Sequence, residues 1–210
     1  MKKIVLFGSG SKTGRELIRQ ALLRGHYVVA VTSDPKCIAM THPRLYLAHG
    51  EIADPQFIRT VIGDSTAAIL VSDDCEDGVS DKVRAVEAQC IVEALVLQGV
   101  RRLISNSACG ANSYLGFFAF WKHFFWPSAM SRSAAIQVDL VEKVIVNFGL
   151  DWTILRHPRL TDSLQTSQYF LTTIRLLQQR STLARADLAA AMLNQLNSDK
   201  FLYRAPYVYE

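Results

Sequence analysis

The residues best suited to chemistry stand near the start of the chain. Gly8-Ser9-Gly10-Ser11-Lys12-Thr13-Gly14 lies directly between the apolar run Ile4 to Phe7 and a segment of helical period. Glycine lets backbone N–H groups approach a phosphate with no Cβ in the way, and the start of a helix adds donors and partial positive charge. That chemistry suits the pyrophosphate of a dinucleotide. The spacing is G-x-G-x-x-x-G, which departs from G-x-G-x-x-G and lacks the G-K-[ST] ending of a P-loop, so ATP hydrolysis is disfavoured. A tight strand-to-helix turn would ask for glycine on backbone grounds alone. The strand before and the helix after favour the ligand reading, with Gly8, Gly10, Ser11, Lys12, Thr13 and Gly14 as the cradle.

After the second apolar run stands Thr32-Ser33-Asp34-Pro35-Lys36. Asp34 could read a ribose 2′-hydroxyl, whereas Lys12, Ser33 and Lys36, with Arg15 close by, could surround a 2′-phosphate. The surplus of cations tilts the expectation toward NADP, with NAD as the alternative. Val71 and Ser72, closing the fourth strand, are further candidate cofactor contacts. Ser107 closes the fifth strand, where a hydroxyl can bond a nicotinamide or a substrate, or else simply enter a turn.

The segment Tyr114 to Trp126 holds eight of the chain's twenty Phe, Tyr and Trp residues. Rings at that density could stack over a planar ligand, form a homodimer interface or fill core. Tyr114 is the candidate proton donor within it, and His123 the nearby imidazole. Asp73, Asp74, Glu76 and Asp77 lack metal-ligand spacing and read as a solvated loop. Cys37, Cys75, Cys90 and Cys109 are dispersed, with no C-x-x-C. No metal is expected, and a reduced, cytoplasmic protein is.

The elements that must position these residues alternate in type. Strands are expected at Ile4 to Phe7, Tyr27 to Thr32, Leu45 to Ala48, Ala67 to Ser72, Arg102 to Ser105 and Trp152 to Leu155, with a last one near Phe201 to Val208. Helices are expected at Thr13 to Arg24, Pro55 to Ile62, Asp81 to Gln98, Ala134 to Asn147, Ser167 to Gln179 and Arg185 to Leu196. Such alternation specifies an α/β fold, a Rossmann-type doubly wound parallel sheet with helices on both faces. No linker or repeat divides the 210 residues, so residues 1–210 should form one domain, with a small substrate or lid region around 109–132. Half of the residues are hydrophobic and the net charge is +4, which excludes disorder and implies no nucleic-acid partner. The first apolar run stops at Gly8 after four residues, too short for a signal peptide, and no integral membrane span is expected.

The motifs resemble those of the atypical short-chain dehydrogenase/reductases, in the NmrA-like and biliverdin IXβ/flavin reductase-like group. Gly8 to Arg15 is similar to the group's G-A-T-G-K-T-G-R turn, and Ser33-Asp34-Pro35 to its R-D-P. His49-Gly50-Glu51-Ile52-Ala53-Asp54 resembles a G-D-x-x-D segment, which implies that Glu51 and Ile52 lie beside adenine. Gly149 to Arg156 resembles "GLDWTILR", which brings Arg156 into the cofactor set, and Ala184 to Ala189 resembles "SRADLA". The departures are Ser11 for a middle glycine, Ser33 for an arginine, and Arg156-His157-Pro158 for R-P, with Arg159 where some members carry histidine. There is no Tyr-x-x-x-Lys. The resemblance implies an NAD(P)H-dependent oxidoreductase that passes hydride to a planar conjugated small molecule, a flavin, quinone or tetrapyrrole. Ser107 and Tyr114 are its candidate catalytic groups. A non-catalytic NAD(P)-binding sensor or scaffold is the alternative.

Overall fold

Residues that are apolar without interruption can be strands only where both faces are covered. In the structure, a computed structural model that describes residues 1–72, 81–108, 140–176 and 182–210, they are. The apolar runs form β1 (Lys3–Phe7) and β2 (Tyr27–Thr32), followed by β3 (Leu45–His49), β4 (Ala67–Leu70), β5 (Arg102–Ala108) and β6 (Asp151–His157). Shorter strands are β7 (Arg159–Thr161), β8 (Phe170–Thr172), β9 (Thr182–Ala184) and β10 (Tyr207–Tyr209). Eight of them make one sheet in the order β3-β2-β1-β4-β5-β6-β10-β8, parallel throughout except for β8 against β10. β7 and β9 pair separately. The strand order reverses between β1 and β4, and in such sheets the crevice outside the C-terminal strand ends at that point is where ligands bind.

The helices are α1 (Lys12–Leu23), α2 (Pro55–Ile62), α3 (Asp81–Leu97), α4 (140–147) and α5 (Arg185–Asn194). Alternation along β1 assigns them to faces. Ile4 and Leu6 join a core with Leu17 and Ile18 of α1 and Leu188 and Met192 of α5. Val5 and Phe7 join another with Ile58 of α2, Ile91 and Leu95 of α3, and Ile145 of α4. The doubly wound α/β fold is therefore as the sequence specifies, with helices on both faces.

Two expectations fail. The helix expected from Ser167 to Gln179 is absent over 167–176, where the chain makes a loop and β8. The buried Asp187 carboxylate accepts from the Thr166 N–H (3.0 Å), the Thr166 hydroxyl (2.8 Å) and the Ser167 N–H (2.8 Å). Ser167 is held at φ +58°, which no helix tolerates. The following residues then pair with β10. The C-terminal strand also starts later than expected, because 201–203 form a turn and Arg204 only bridges Thr153. The aromatic segment 114–126, the acidic cluster at 73–77 and the start of the helix expected from Ala134 lie outside the described residues.

At the opposite, N-terminal edge of the sheet, His26 is buried and its Nδ1 accepts from the Lys2 N–H at 3.1 Å. Desolvation, with the nearby N-terminal ammonium, lowers its pKa below the ordinary value. The unfolded chain then binds the extra proton first, so His26 contributes stability above about pH 6.5 that is lost as the pH falls toward the folded pKa. Chemical denaturation between about pH 7 and 5 should show stability declining, with a shallower decline in His26→Gln.

Candidate functional site

The crevice is built from strand ends. Phe7 is in register with Leu70, and Leu70 with Ser105, so Gly8, Val71 and Asn106 stand level, while β5 runs on past them with Ser107 opposite Arg156 of β6. Gly8 leaves β1 with φ +74°, and a Cβ there would lie 2.6 Å from the Val71 carbonyl oxygen. At Gly14 a Cβ would lie 2.4 Å from the Gly8 oxygen and 2.7 Å from Ser9 Cα. These two glycines are required by close approach of backbone to backbone. At Gly10 the constraint is milder, with Thr32 Oγ1 at 3.2 Å.

Ser11 has a definite role. It is the N-cap of α1, with its hydroxyl accepting from the Gly14 N–H at 3.0 Å, while its own N–H reaches the Gly8 carbonyl. The departure from a middle glycine therefore exchanges backbone freedom for a side-chain cap. Ser9 is fully buried and donates to the Val31 carbonyl at 2.5 Å, which ties the turn to β2. Arg15 donates from Nη1 to the Gly10 carbonyl at 2.6 Å, bracing the turn from the helix side.

Other sequence-predicted residues lie around this turn in distinct ways. Asp34 caps the short turn Pro35–Cys37, accepting from the Lys36 N–H at 3.0 Å and from the Cys37 thiol at 3.4 Å. Ser33 and Lys36 are solvent-facing on the same loop. Lys12 donates to Asp162 at 2.9 Å. The Thr13 hydroxyl is buried and accepts from Arg185 Nη1 at 2.9 Å. In the segment after β3, Ile52 packs partly buried on the α2/α3 core, Glu51 is exposed, and Asp54 caps α2.

Arg156 points elsewhere. Its guanidinium pairs with Glu142 of α4 at 2.6 Å and lies over the Tyr207 ring. Tyr114, the second catalytic candidate, is outside the described residues. Ser107 is buried at the end of β5, and its hydroxyl has no hydrogen-bond partner among the described residues.

Sequence reasoning missed the polar joint beside it. Asn106 is 2% exposed, and its carbonyl oxygen accepts from the Ser72 N–H at 2.9 Å. Its amide nitrogen stands 3.5 Å from the Ser72 oxygen and 3.2 Å from His157 Nε2. His157 Nδ1 lies 2.8 Å from the Pro158 oxygen, which has no proton to give, so Nδ1 carries one and Nε2 accepts. Three strand ends are thereby stitched together at the crevice floor. The available signal was a lone asparagine inside an otherwise strand-like run, Arg102 to Ala108, since a buried amide must find partners.

The chain matches the family model described as NAD(P)H-binding over residues 8–199. It belongs to that NAD(P)H-binding family. Membership agrees with the resemblance of the motifs to atypical short-chain dehydrogenase/reductases. Solved structures share the fold at low identity. A short-chain dehydrogenase/reductase from Veillonella parvula in complex with NADP is 18% identical, with a TM-score of 0.77 over 100% of this chain and 94% of that one. A Rossmann-fold NAD(P)-binding family protein from Shigella flexneri gives 18%, 0.77, and the same coverage. An oxidoreductase from Lactococcus lactis is 15% identical, with a TM-score of 0.79 over 99% of this chain and 90% of that one.

The residues present fit the family's cofactor. A bare backbone turn that no Cβ can enter, the start of a twelve-residue helix, and an unpartnered buried hydroxyl at the crevice are the features a dinucleotide uses. In this NAD(P)H-binding chain, Ser11→Ala should cost about 1 kcal/mol of stability by loss of the cap, and Ser11→Gly only a few tenths. Asn106→Leu should cost about 1–3 kcal/mol, because it strands the Ser72 N–H and His157 Nε2 without their partner. Urea denaturation of each variant against the parent checks both.

Proposed function

We propose that this protein is an NADPH-preferring reductase that passes hydride to a planar conjugated small molecule such as a flavin, quinone or tetrapyrrole. The observation that carries the reading is the glycine turn, closed to any Cβ at Gly8 and Gly14, in a chain of the NAD(P)H-binding family. Gly8 to Gly14 would hold the pyrophosphate, with Val71, Ser72, Glu51 and Ile52 toward the adenosine side. The nicotinamide supplies the hydride when bound.

The preference for NADPH rests on the loop after β2. Lys12 is already paired with Asp162, and Arg15 is engaged by the Gly10 carbonyl. The Lys36 ammonium enters no ion pair among the described residues and stands two positions from Asp34, so it is the cation available for a 2′-phosphate. One solved neighbour binds NADP, which agrees. Asp34, the residue that would otherwise favour NAD, spends its carboxylate on capping its own turn.

Ser107 would orient the nicotinamide or the substrate through its unpartnered hydroxyl. The absence of Tyr-x-x-x-Lys means that no side-chain relay of that type serves the reaction. Reduction of a flavin or quinone does not require one, since orientation is the protein's main contribution and solvent can deliver the proton. Tyr114 is the proposed donor where a substrate needs one, and the surrounding aromatic segment the proposed lid or dimer surface. The protein acts in the cytoplasm on this reading. The second reading, a dinucleotide sensor without turnover, is favoured by the same missing tyrosine and lysine.

Fluorescence titration of cofactor-free protein should give a Kd for NADPH on the order of micromolar and a weaker one for NADH, with Lys36→Ala reducing the difference. Turnover of a flavin or quinone with NADPH then separates the readings. Binding without turnover of any acceptor would favour the sensor, and absence of binding up to roughly millimolar would overturn both.

A further inference from the structure

The first turn of α1 already holds an anion of the protein's own. Asp162, in the segment after β7, accepts from Lys12 Nζ through Oδ2 at 2.9 Å and from Arg185 Nε through Oδ1 at 2.9 Å. Arg185, the first residue of α5, also donates to the Thr13 hydroxyl at 2.9 Å. The carboxylate is thus bracketed by cations from the start of α1 and the start of α5, and the two cations hold its pKa below the usual carboxylate range. Lys12 and Thr13 are N1 and N2 of α1, the positions from which a bound phosphate draws its charge and donors.

We infer that Asp162 is an internal competitor for the phosphate site: its carboxylate occupies Lys12 in the free protein and must be displaced when a dinucleotide pyrophosphate binds. The inference rests on the dinucleotide reading of the turn. It assigns to Asp162 control over cofactor affinity that neither motif nor fold assigns. The chemistry is a swap of like for like, one oxyanion for another on the same ammonium. Leaving Asp162 in place beside the pyrophosphate would set like charges together, so the carboxylate has to give way. Because the side chains of Lys12 and Asp162 are 50% and 58% exposed, the contact is weak enough to exchange rapidly and is sensitive to salt.

The same contact ties the glycine turn to the segment after β7. Asp162 follows β7, and β7 pairs with β9, which runs directly into α5. Release of the carboxylate therefore frees the segment after β7 from α1 while Arg185 keeps its bond to Thr13. Cofactor entry and the position of that segment become one equilibrium.

The test is NADPH titration of the whole chain as wild type, Asp162→Asn, Lys12→Ala and the double variant, at about 50 mM salt and again at about 500 mM. Asp162→Asn should bind NADPH about fivefold more tightly at low salt, with the gain shrinking at high salt. In the Lys12→Ala background the same substitution should change affinity by less than about twofold, because the shared ammonium is gone. Binding by Asp162→Asn alone would also support the inference. Unchanged or weakened binding in Asp162→Asn, with wild type binding normally, would overturn the competition and leave the dinucleotide reading intact. Failure of both proteins to bind NADPH and NADH would overturn the dinucleotide reading and the competition with it. Thermal melts of the free proteins verify that each variant is folded.

Discussion

Helix α1 can start where it does only because position 14 carries no Cβ. A single methyl there would press on the Gly8 oxygen at 2.4 Å and on Ser9 behind it. Without that approach α1 would stand off from the sheet, and its contact with α5 across the β1 face would open. The core formed by Leu17, Ile18, Leu188 and Met192 depends on that contact. Gly8 imposes the matching condition from the other side, with its backbone against the Val71 carbonyl. The place where the sheet reverses order is thus also the place where chain packs on chain most tightly. Packing and ligand access are settled by the same two residues.

Polar side chains gather where this apolar body ends. Ser9 on Val31, Ser11 on Gly14 and Asn106 on Ser72 each satisfy a backbone group at a strand end or helix start that no sheet or helix ladder reaches. Unmet, such groups would cost more than the net worth of the bonds that meet them. The crevice is therefore rigid at its floor by necessity. Its rim is held by the ion pairs of Asp162, one with the largely buried Arg185 and an exposed one with Lys12 that contributes little to stability and can be rearranged. A fixed floor and an exchangeable rim are what a site for a large, charged, departing ligand needs.

The sequence displays the glycine turn better than the polar joint or the rim around it. The ends of β1 and β2 followed from uninterrupted apolar runs, whereas β4 stops at Leu70 before the expected Ser72 and β5 and β6 run past the expected Ser105 and Leu155 to Ala108 and His157; the start of α1 fell within one residue of expectation, at Lys12 instead of Thr13. The glycines announced themselves by position. Ser11 could be recognised as a departure, but that it caps α1 required the helix start in three dimensions. The expected helix at Ser167 failed because Asp187, twenty residues later, takes the backbone donors of the loop, and no local pattern reports a carboxylate that distant. Asp162 was invisible for the same reason, lying 150 residues from its partner Lys12. Arg156 was assigned to the cofactor by motif, yet its charge is already matched by Glu142.

That last assignment shows what motif position alone leaves open. Of the cations that a sequence reading assigns to the cofactor, three have their own allegiance: Lys12 to Asp162, Arg15 to the Gly10 carbonyl, Arg156 to Glu142. Net positive charge near a helix start is then a poor measure of what a phosphate would find. The quantity that matters is the difference between each cation's present partner and the one a ligand offers. A carbonyl or a half-buried carboxylate on a neighbouring helix holds its cation in place, whereas an exposed carboxylate on a surface segment can be exchanged. On that criterion Arg15 and Arg156 are held in place by their partners, and Lys12, facing an exposed Asp162 at the first turn of α1, is the cation whose partner can be exchanged.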